Sequence, residues 1–319
     1  MAEIGDNIAR ARKLLDSGNL VAIPTETVYG LAGNAYEPAV VTEIFAVKDR
    51  PTFDPLIVHT DRIDKIGNFA QEIPEKLRIL AENFWPGPLT LILKKKEIIP
   101  DIITSGLDTV AVRMPRHPLT LELLSGLDYP LAAPSANPFG YVSPTTAEHV
   151  NRQLGTRIRY ILDGGPCSVG IESTIIGCEE GNPVVYRLGG KSIEKIEAII
   201  GPVEIRTREY PGIIAPGMLK SHYAPAKKVI LFDHDLPAMN VVAANAGILS
   251  FNKLRDEVPA ENQYMLSGNS DLKEAGKNLF TGLRFLDNLD IQIIYAELVP
   301  ETGIGKAIND RLRRAAARL

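Results

Sequence analysis

At 319 residues, with 45% hydrophobic and 23% charged side chains, the chain is long for one core and comfortable for two globular domains. A net charge of −4 and a pI near 5.8 argue against general nucleic-acid binding, which needs a basic surface to neutralise phosphates. No apolar run approaches the roughly 20 residues that span a bilayer, and the charged N-terminus has no apolar signal core, so the expected location is cytoplasmic.

Residues 3–17 read as a first helix, ended by Gly18. Leu20–Ile23 is short enough to be a buried strand rather than a helix. Pro24 cannot donate to a sheet ladder, so the strand should stop there and hand over to the loop PTETVYGL, Pro24 to Leu31. That loop carries the hydroxyls of Thr25, Thr27 and Tyr29, the carboxylate of Glu26, and Gly30. Open α/β sheets place their ligands at such strand ends. Pro38 opens a second helix, with Val40, Val41, Ile44, Phe45 and Val47 at helical spacing, and Pro51 forbids its continuation. Lys48 and Arg50 leave the end of that helix either as cations matched to its dipole or, as we favour, as phosphate contacts.

Leu56–His59 reads as a short strand ending in an imidazole, with no metal-ligand partner at suitable spacing. A helix closes at Phe84, and Trp85-Pro-Gly-Pro-Leu is a rigid turn into the strand Thr90–Leu93, with Trp85 as a core anchor. Thr109–Arg113 is a strand that delivers a guanidinium, which needs an anion, either a structural carboxylate or one on a substrate. Leu131–Asn137 repeats the device with small residues that let a ligand approach the backbone. Ser143-Pro144 has the pattern of a cap and first residue opening a helix over Thr145–Leu154.

Ile158–Leu162 is a strand, and Ser173–Ile176 and Val184–Arg187 are two more, paired through a Gly181-Asn182 turn. A helix over Ile193–Ile200 follows. Residues 202–226 lack periodicity and are rich in Pro and Gly, the pattern of a linker. Beyond it, strands at Val229–Phe232, Ala246–Ser250 and Ile291–Tyr295 alternate with helices, notably over 271–287 and 305–318, which predicts a small parallel α/β domain. It has neither a GxGxxG fingerprint nor a P-loop. Arg311, Arg313 and Arg314 read as a solvated helix face, and two cysteines, Cys167 and Cys178, are too few for a disulfide framework or a Cys-based metal site. The expected domains are 1–201, a linker over 202–226, and 227–319.

The strand ends thus hold several cations and hydroxyls but no nucleophile–base pair. Such a set suits gripping an anionic small molecule and aligning two substrates better than acyl-enzyme chemistry. Composition and spacing reach no further.

The motifs PTETVYGL, Lys48-x-Arg50, LIVH ending at His59, FWPGPLT, AVRMP, APSAN and Glu172-Ser-Thr174, continued by APGMLKSHYAP and GIGKAINDRLRRAA, span nearly the whole chain. In this ordered set the chain resembles the YrdC-like L-threonylcarbamoyladenylate synthases in their longer, two-domain form. The resemblance implies an N-terminal YrdC-like twisted mixed-sheet α/β domain and a smaller C-terminal Rossmann-like parallel α/β domain. It implies a nucleotidyltransferase that condenses L-threonine, bicarbonate and ATP into threonylcarbamoyl-AMP and pyrophosphate. Mg²⁺ would accompany ATP, with no dedicated metal ligand among the side chains. The product would pass to a tRNA threonylcarbamoyl-transferase.

Carried over by motif, the threonine site falls on Thr27, His59, Arg113, Ala133 and Ser173. The nucleotide falls on Arg50, Asp54, Thr109, Ser135, Ser143, Arg187 and Tyr223, with Lys48 and Arg50 at the reacting phosphates. Position 54 holds Lys or Asn in relatives, so Asp54 is a reversal of charge. Tyr223 would make the linker a lid over the nucleotide. Two rival readings are an RNA-binding module, opposed by the acidic pI, and a carbamoyltransferase, whose larger forms carry zinc-binding cysteine clusters absent from this sequence.

Overall fold

The computed structural model describes residues 1–207, 215–218, 222–233, 245–256 and 258–317. They form two compact units. The first comprises Met1–Phe139, Pro144–Ser168 and Glu172–Met218; the second comprises Gly140–Ser143, Val169–Ile171 and Leu219–Leu319. Two short stretches from within 1–201 therefore belong to the second unit, while residues 202–207 and 215–218 of the expected linker belong to the first. The rest of the linker that precedes His222 lies outside the described residues.

In chain order the first unit holds β1 (Glu3–Gly5), α1 (Ile8–Asp16), β2 (Val21–Ile23), β3 (Gly30–Asn34), α2 (Pro38–Lys48), β4 (Ile57–His59), α3 (Glu75–Phe84), β5 (Leu89–Lys94), α4 (Asp101–Thr104) and β6 (Thr109–Arg113). It continues with α5 (Pro118–Ser125), β7 (Leu131–Ala132), α6 (Ala147–Leu154), β8 (Tyr160–Leu162), β9 (Thr174–Glu179), β10 (Asn182–Arg187), α7 (Ile193–Ile200) and β11 (Glu204–Ile205). These strands make one mixed sheet, in the order β1-β8-β2-β3-β7-β4-β6-β5-β9-β10-β11. The second unit holds β12 (Lys228–Phe232), β13 (Ala246–Ser250), β14 (Gln263–Met265), α8 (Leu272–Asp287), β15 (Ile293–Glu297) and α9 (Gly305–Ala316). Its sheet, β12-β15-β13-β14, is parallel throughout.

Four local readings are corrected. Residues 3–17 are not one helix: Glu3–Gly5 pairs with β8, and α1 begins after Asn7, whose side chain accepts the N–H of Arg10. Pairing along a sheet edge outweighs the helical propensity of three residues. Ser143 is not a cap. The helix starts at Ala147, capped by Thr146, because the Pro144 carbonyl is taken by the N–H of Tyr29 at 2.9 Å. The β9–β10 turn is Glu180-Gly181, one residue earlier than expected, with φ of 48° and 85°. Positive φ at both central residues is what a tight hairpin of this hand demands, and Gly181 meets it without strain. The arginines of α9 are not a solvated face. Arg311 and Arg314 are buried and both reach Asp310 Oδ2, at 2.9 and 3.0 Å, while only Arg313 stays out, paired with Glu301.

The residue before that acidic bridge also works inward. Asn309 is buried, its Oδ1 accepting the Val299 N–H at 2.9 Å and its Nδ2 donating to the Val299 carbonyl at 2.7 Å. Replacing it by Leu leaves two buried backbone groups without partners, each costing about 1–3 kcal/mol. Asn309→Leu should therefore lower the urea midpoint of the second unit sharply, and an unchanged midpoint would show the clamp to be dispensable.

Candidate active site

Alternation along the strands of the first unit sorts side chains onto two faces. One face carries Ile57, Ile92, Ala111, Ile175, Val184 and Tyr186, an apolar strip on which Ala215 is packed. The register then fixes the polar row at its end. His59 stands opposite Arg113, Thr90 stands opposite Arg113 on the other side, and Leu89 opposite Thr174 brings Ser173 alongside. Pairing of distant strands thus delivers residues from four motifs to one row.

Arg113 is buried and meets Glu26, also buried, with Nη2 at 2.8 Å from Oε1. That contact is an ion pair lacking hydrogen-bond alignment, since neither atom has an aligned partner among the described residues. Glu26 Oε2 accepts the backbone N–H of Arg116 at 2.9 Å, and Arg113 Nε points at the Gly87 carbonyl at 3.4 Å. One carbonyl of the FWPGPLT turn thus faces this guanidinium. Glu26 is the residue that motif reading left unassigned; the signal was its place as the one carboxylate inside PTETVYGL. His59 is buried beside Arg113, with Nδ1 3.2 Å from the Ile57 carbonyl. Burial, and then the charge of Arg113, push its pKa down to about 3, so the ring is neutral at pH 7.

Ser173 Oγ lies 2.7 Å from Thr90 Oγ1 and accepts from Arg187 Nη2 at 3.1 Å. Arg187 also donates through Nε to the Ser173 carbonyl at 3.1 Å and through Nη1 to the Pro216 carbonyl at 2.9 Å. One guanidinium thus ties β10, the Glu172-Ser-Thr174 segment and residues 215–218 together.

The opening loop is held by its own first hydroxyl. Thr25 Oγ1 accepts the N–H groups of Thr27 and Val28, donates to the Val28 carbonyl, and lies 2.8 Å from Thr27 Oγ1. The loop is stitched to APSAN by Leu31 N–H to the Pro134 carbonyl at 2.7 Å and Ala136 N–H to the Tyr29 carbonyl at 2.8 Å. A Cβ at Gly30 would stand 3.2 Å from that of Ala133, which explains the small residues on both sides. Lys48, fully buried, donates to the carbonyls of Ser135 and Asn137, and burial with the nearby Arg50 charge lowers its pKa. Its ammonium braces the APSAN loop.

Arg50 donates to the carbonyls of Asp54 and Pro55 at 3.0 and 2.9 Å and lies 3.0 Å from Asp54 Oδ2. Asp54 has no exposure; burial raises its pKa, opposed by the charges of Arg50, Lys48 and Arg187. Three cations expected at the nucleotide, Lys48, Arg50 and Arg187, thus act on one buried carboxylate. Thr109 opens β6 opposite Lys94, four residues from Arg113 and so about 13 Å along the strand. Ser143 and Tyr223 belong to the second unit. There the Ser143 carbonyl accepts from Arg284 Nε at 3.2 Å. Tyr223 is buried with φ of 63°, stacked on Phe280 at 5.6 Å and under the Arg311 guanidinium at 5.0 Å.

Known proteins resemble this chain over nearly its whole length. The family described as "Telomere recombination" matches residues 13–189, and the "Threonylcarbamoyl-AMP synthase, C-terminal domain" matches residues 191–317. The threonylcarbamoyl-AMP synthase of Pyrococcus abyssi is 41% identical over 96% of this chain and 93% of its own. The chain belongs to the threonylcarbamoyl-AMP synthase family. The Bacillus subtilis synthase is 40% identical over 97% of this chain and 92% of its own. The crystal structure of P. abyssi Sua5 complexed with L-threonine superposes with a TM-score of 0.89 at 38% identity, covering 99% of this chain and 97% of that one. Membership of this synthase family accounts for both units at once, and no described helix is long and apolar enough to cross a membrane.

The neutral His59 has a measurable consequence. Its folded pKa lies below the ordinary 6.5, so as pH falls from 6.5 towards 3 the unfolded chain binds a proton that the folded chain refuses. The stability linked to this group is present above pH 6.5 and lost below it, at a slope of at most about 1.4 kcal/mol per pH unit. His59→Gln should flatten the acid loss of urea stability by up to that slope. Parallel curves for the two proteins would contradict a buried neutral imidazole.

Proposed function

We propose that the protein condenses L-threonine, bicarbonate and ATP into threonylcarbamoyl-AMP, releasing pyrophosphate, and is thus a nucleotidyltransferase. The likeness to synthases of this name over nearly the whole chain carries the reading, and the polar row gives it residues. The amino-acid carboxylate would bind the Arg113 fork, a geometry that guanidinium and carboxylate share. Thr27, neutral His59, the Ala133 backbone and Ser173 would enclose the rest of the amino acid. The amine attacks the bicarbonate carbon with loss of water, and a carbamate oxygen then attacks the α-phosphorus with pyrophosphate as leaving group.

The nucleotide would lie towards Arg50, Asp54, Thr109, Ser135 and Arg187, with Arg50 and Arg187 supplying charge and Lys48 acting by fixing the Ser135 carbonyl. Holding both reactants in line can contribute roughly 7–11 kcal/mol of such a barrier. Mg²⁺ would arrive on the phosphates of ATP. The ion would be held mainly by phosphate and water. Cytoplasmic location and hand-off of the product to a tRNA-modifying transferase complete the proposal.

Pyrophosphate release from ATP should require threonine, bicarbonate and Mg²⁺ together, and chelation should stop it until the ion is restored. Serine should be poorer by about 10–200-fold in kcat/KM, the worth of one methyl group in a fitted pocket. Arg113→Lys keeps the charge opposite Glu26 but loses the fork, so the KM for threonine should rise by about tenfold or more while the protein still melts as a folded chain. Activity with no amino acid present would defeat the reading.

A further inference from the structure

We propose that Glu26 is the seat of the amino acid's α-ammonium, so that Glu26 and Arg113 together recognise a zwitterion. The inference rests on threonine being the ligand of Arg113 and adds a residue to that site.

Three observations carry it. Glu26 is 2% exposed, yet Oε1 has no aligned hydrogen bond among the described residues, while Oε2 is already used by the Arg116 N–H. A buried carboxylate oxygen in that condition has acceptor capacity directed at whatever lies beside Arg113. Second, Oε1 and Arg113 Nη2 are only 2.8 Å apart. The two charges of an α-amino acid hang from a single carbon, so one ligand can face both protein charges side by side.

Third, the charge count decides which ligand fits. Three titratable neighbours of the Glu26–Arg113 pair add no charge to it at pH 7. Burial pushes the Cys167 thiol up to about 12, His59 is held down to about 3, and burial also lowers His117. Glu26 and Arg113 therefore cancel one another. A ligand bringing only a carboxylate would leave two buried negative charges against one guanidinium, an arrangement that low-dielectric surroundings penalise heavily. A zwitterion adds no net charge and leaves each group with an opposite partner. Glu26 would thus exclude hydroxy acids and keto acids from a pocket whose Arg would otherwise accept them.

Calorimetric titration of the full-length protein tests this with two probes: L-threonine, and the threonine analogue bearing an α-hydroxyl in place of the ammonium. The wild type should bind the analogue at least about tenfold more weakly than threonine. Glu26→Gln should lose about that factor for threonine, bind the analogue at least as well as the wild type does, and bind ATP unchanged. Equal wild-type affinities for the two probes would overturn the proposal without need of any variant, so a variant that fails to fold does not protect it. A folded Glu26→Gln protein with wild-type threonine affinity would overturn it as well. If the wild type binds no threonine, the parent reading falls too, whereas threonine binding indifferent to Glu26 removes this inference alone.

Discussion

A charge on a buried strand must be matched where it stands, and one end of the sheet of the first unit is arranged around that demand at Arg113. Glu26 supplies the opposite charge from a loop, Gly87 supplies a carbonyl from a Pro-bounded turn, and the strand register sets His59 and Thr90 on either side. Each partner comes from a separate motif, so the motifs are far apart in sequence yet near in space. Removing any one would expose an uncompensated polar group in the interior, a cost larger than most surface interactions return.

Much of this is legible in the amino-acid sequence. Strands that end in Arg113, His59 and Arg187 could be read because an apolar run closing on a polar residue is rare without a purpose. The bounds of α2 and α7 followed from Pro38, Pro51 and helical spacing. What escaped was whatever depended on a partner distant in sequence. β1 forms only because β8 offers an edge, and β3, with glycines at both Gly30 and Gly33, shows no strand pattern of its own. The Ser143-Pro144 pair has the grammar of a helix start, but its Pro carbonyl was claimed by the opening loop. The residues that end the strands were recoverable from motifs; which atoms already hold one another was not. Lys48 reads as a phosphate ligand and stands as a brace for two carbonyls.

The second unit teaches the same lesson about charge. A run of arginines near a C-terminus looks solvated, since burying a cation is costly. Asp310 changes that, bridging Arg311 and Arg314 within one helix, and the Tyr223 ring accepts the Arg311 guanidinium on its face. The strained φ of Tyr223 is held by packing on both sides of the ring. The closing motif Asn309-Asp-Arg311 is thus three consecutive residues with three separate structural tasks.

Arg187 has one further implication. Its guanidinium holds Ser173 by two bonds and Pro216 by a third, so the hydroxyl at the end of the polar row and the segment packed on the apolar strip share a single rigid fork. Sharing of this kind is reciprocal in free energy. Whatever a ligand does to the orientation of Ser173 must be felt by residues 215–218, and whatever pulls on that segment must be felt, to the same degree, in affinity at Ser173. The chain leading out of the first unit is therefore a reporter on the state of its strand ends as well as a covalent connection.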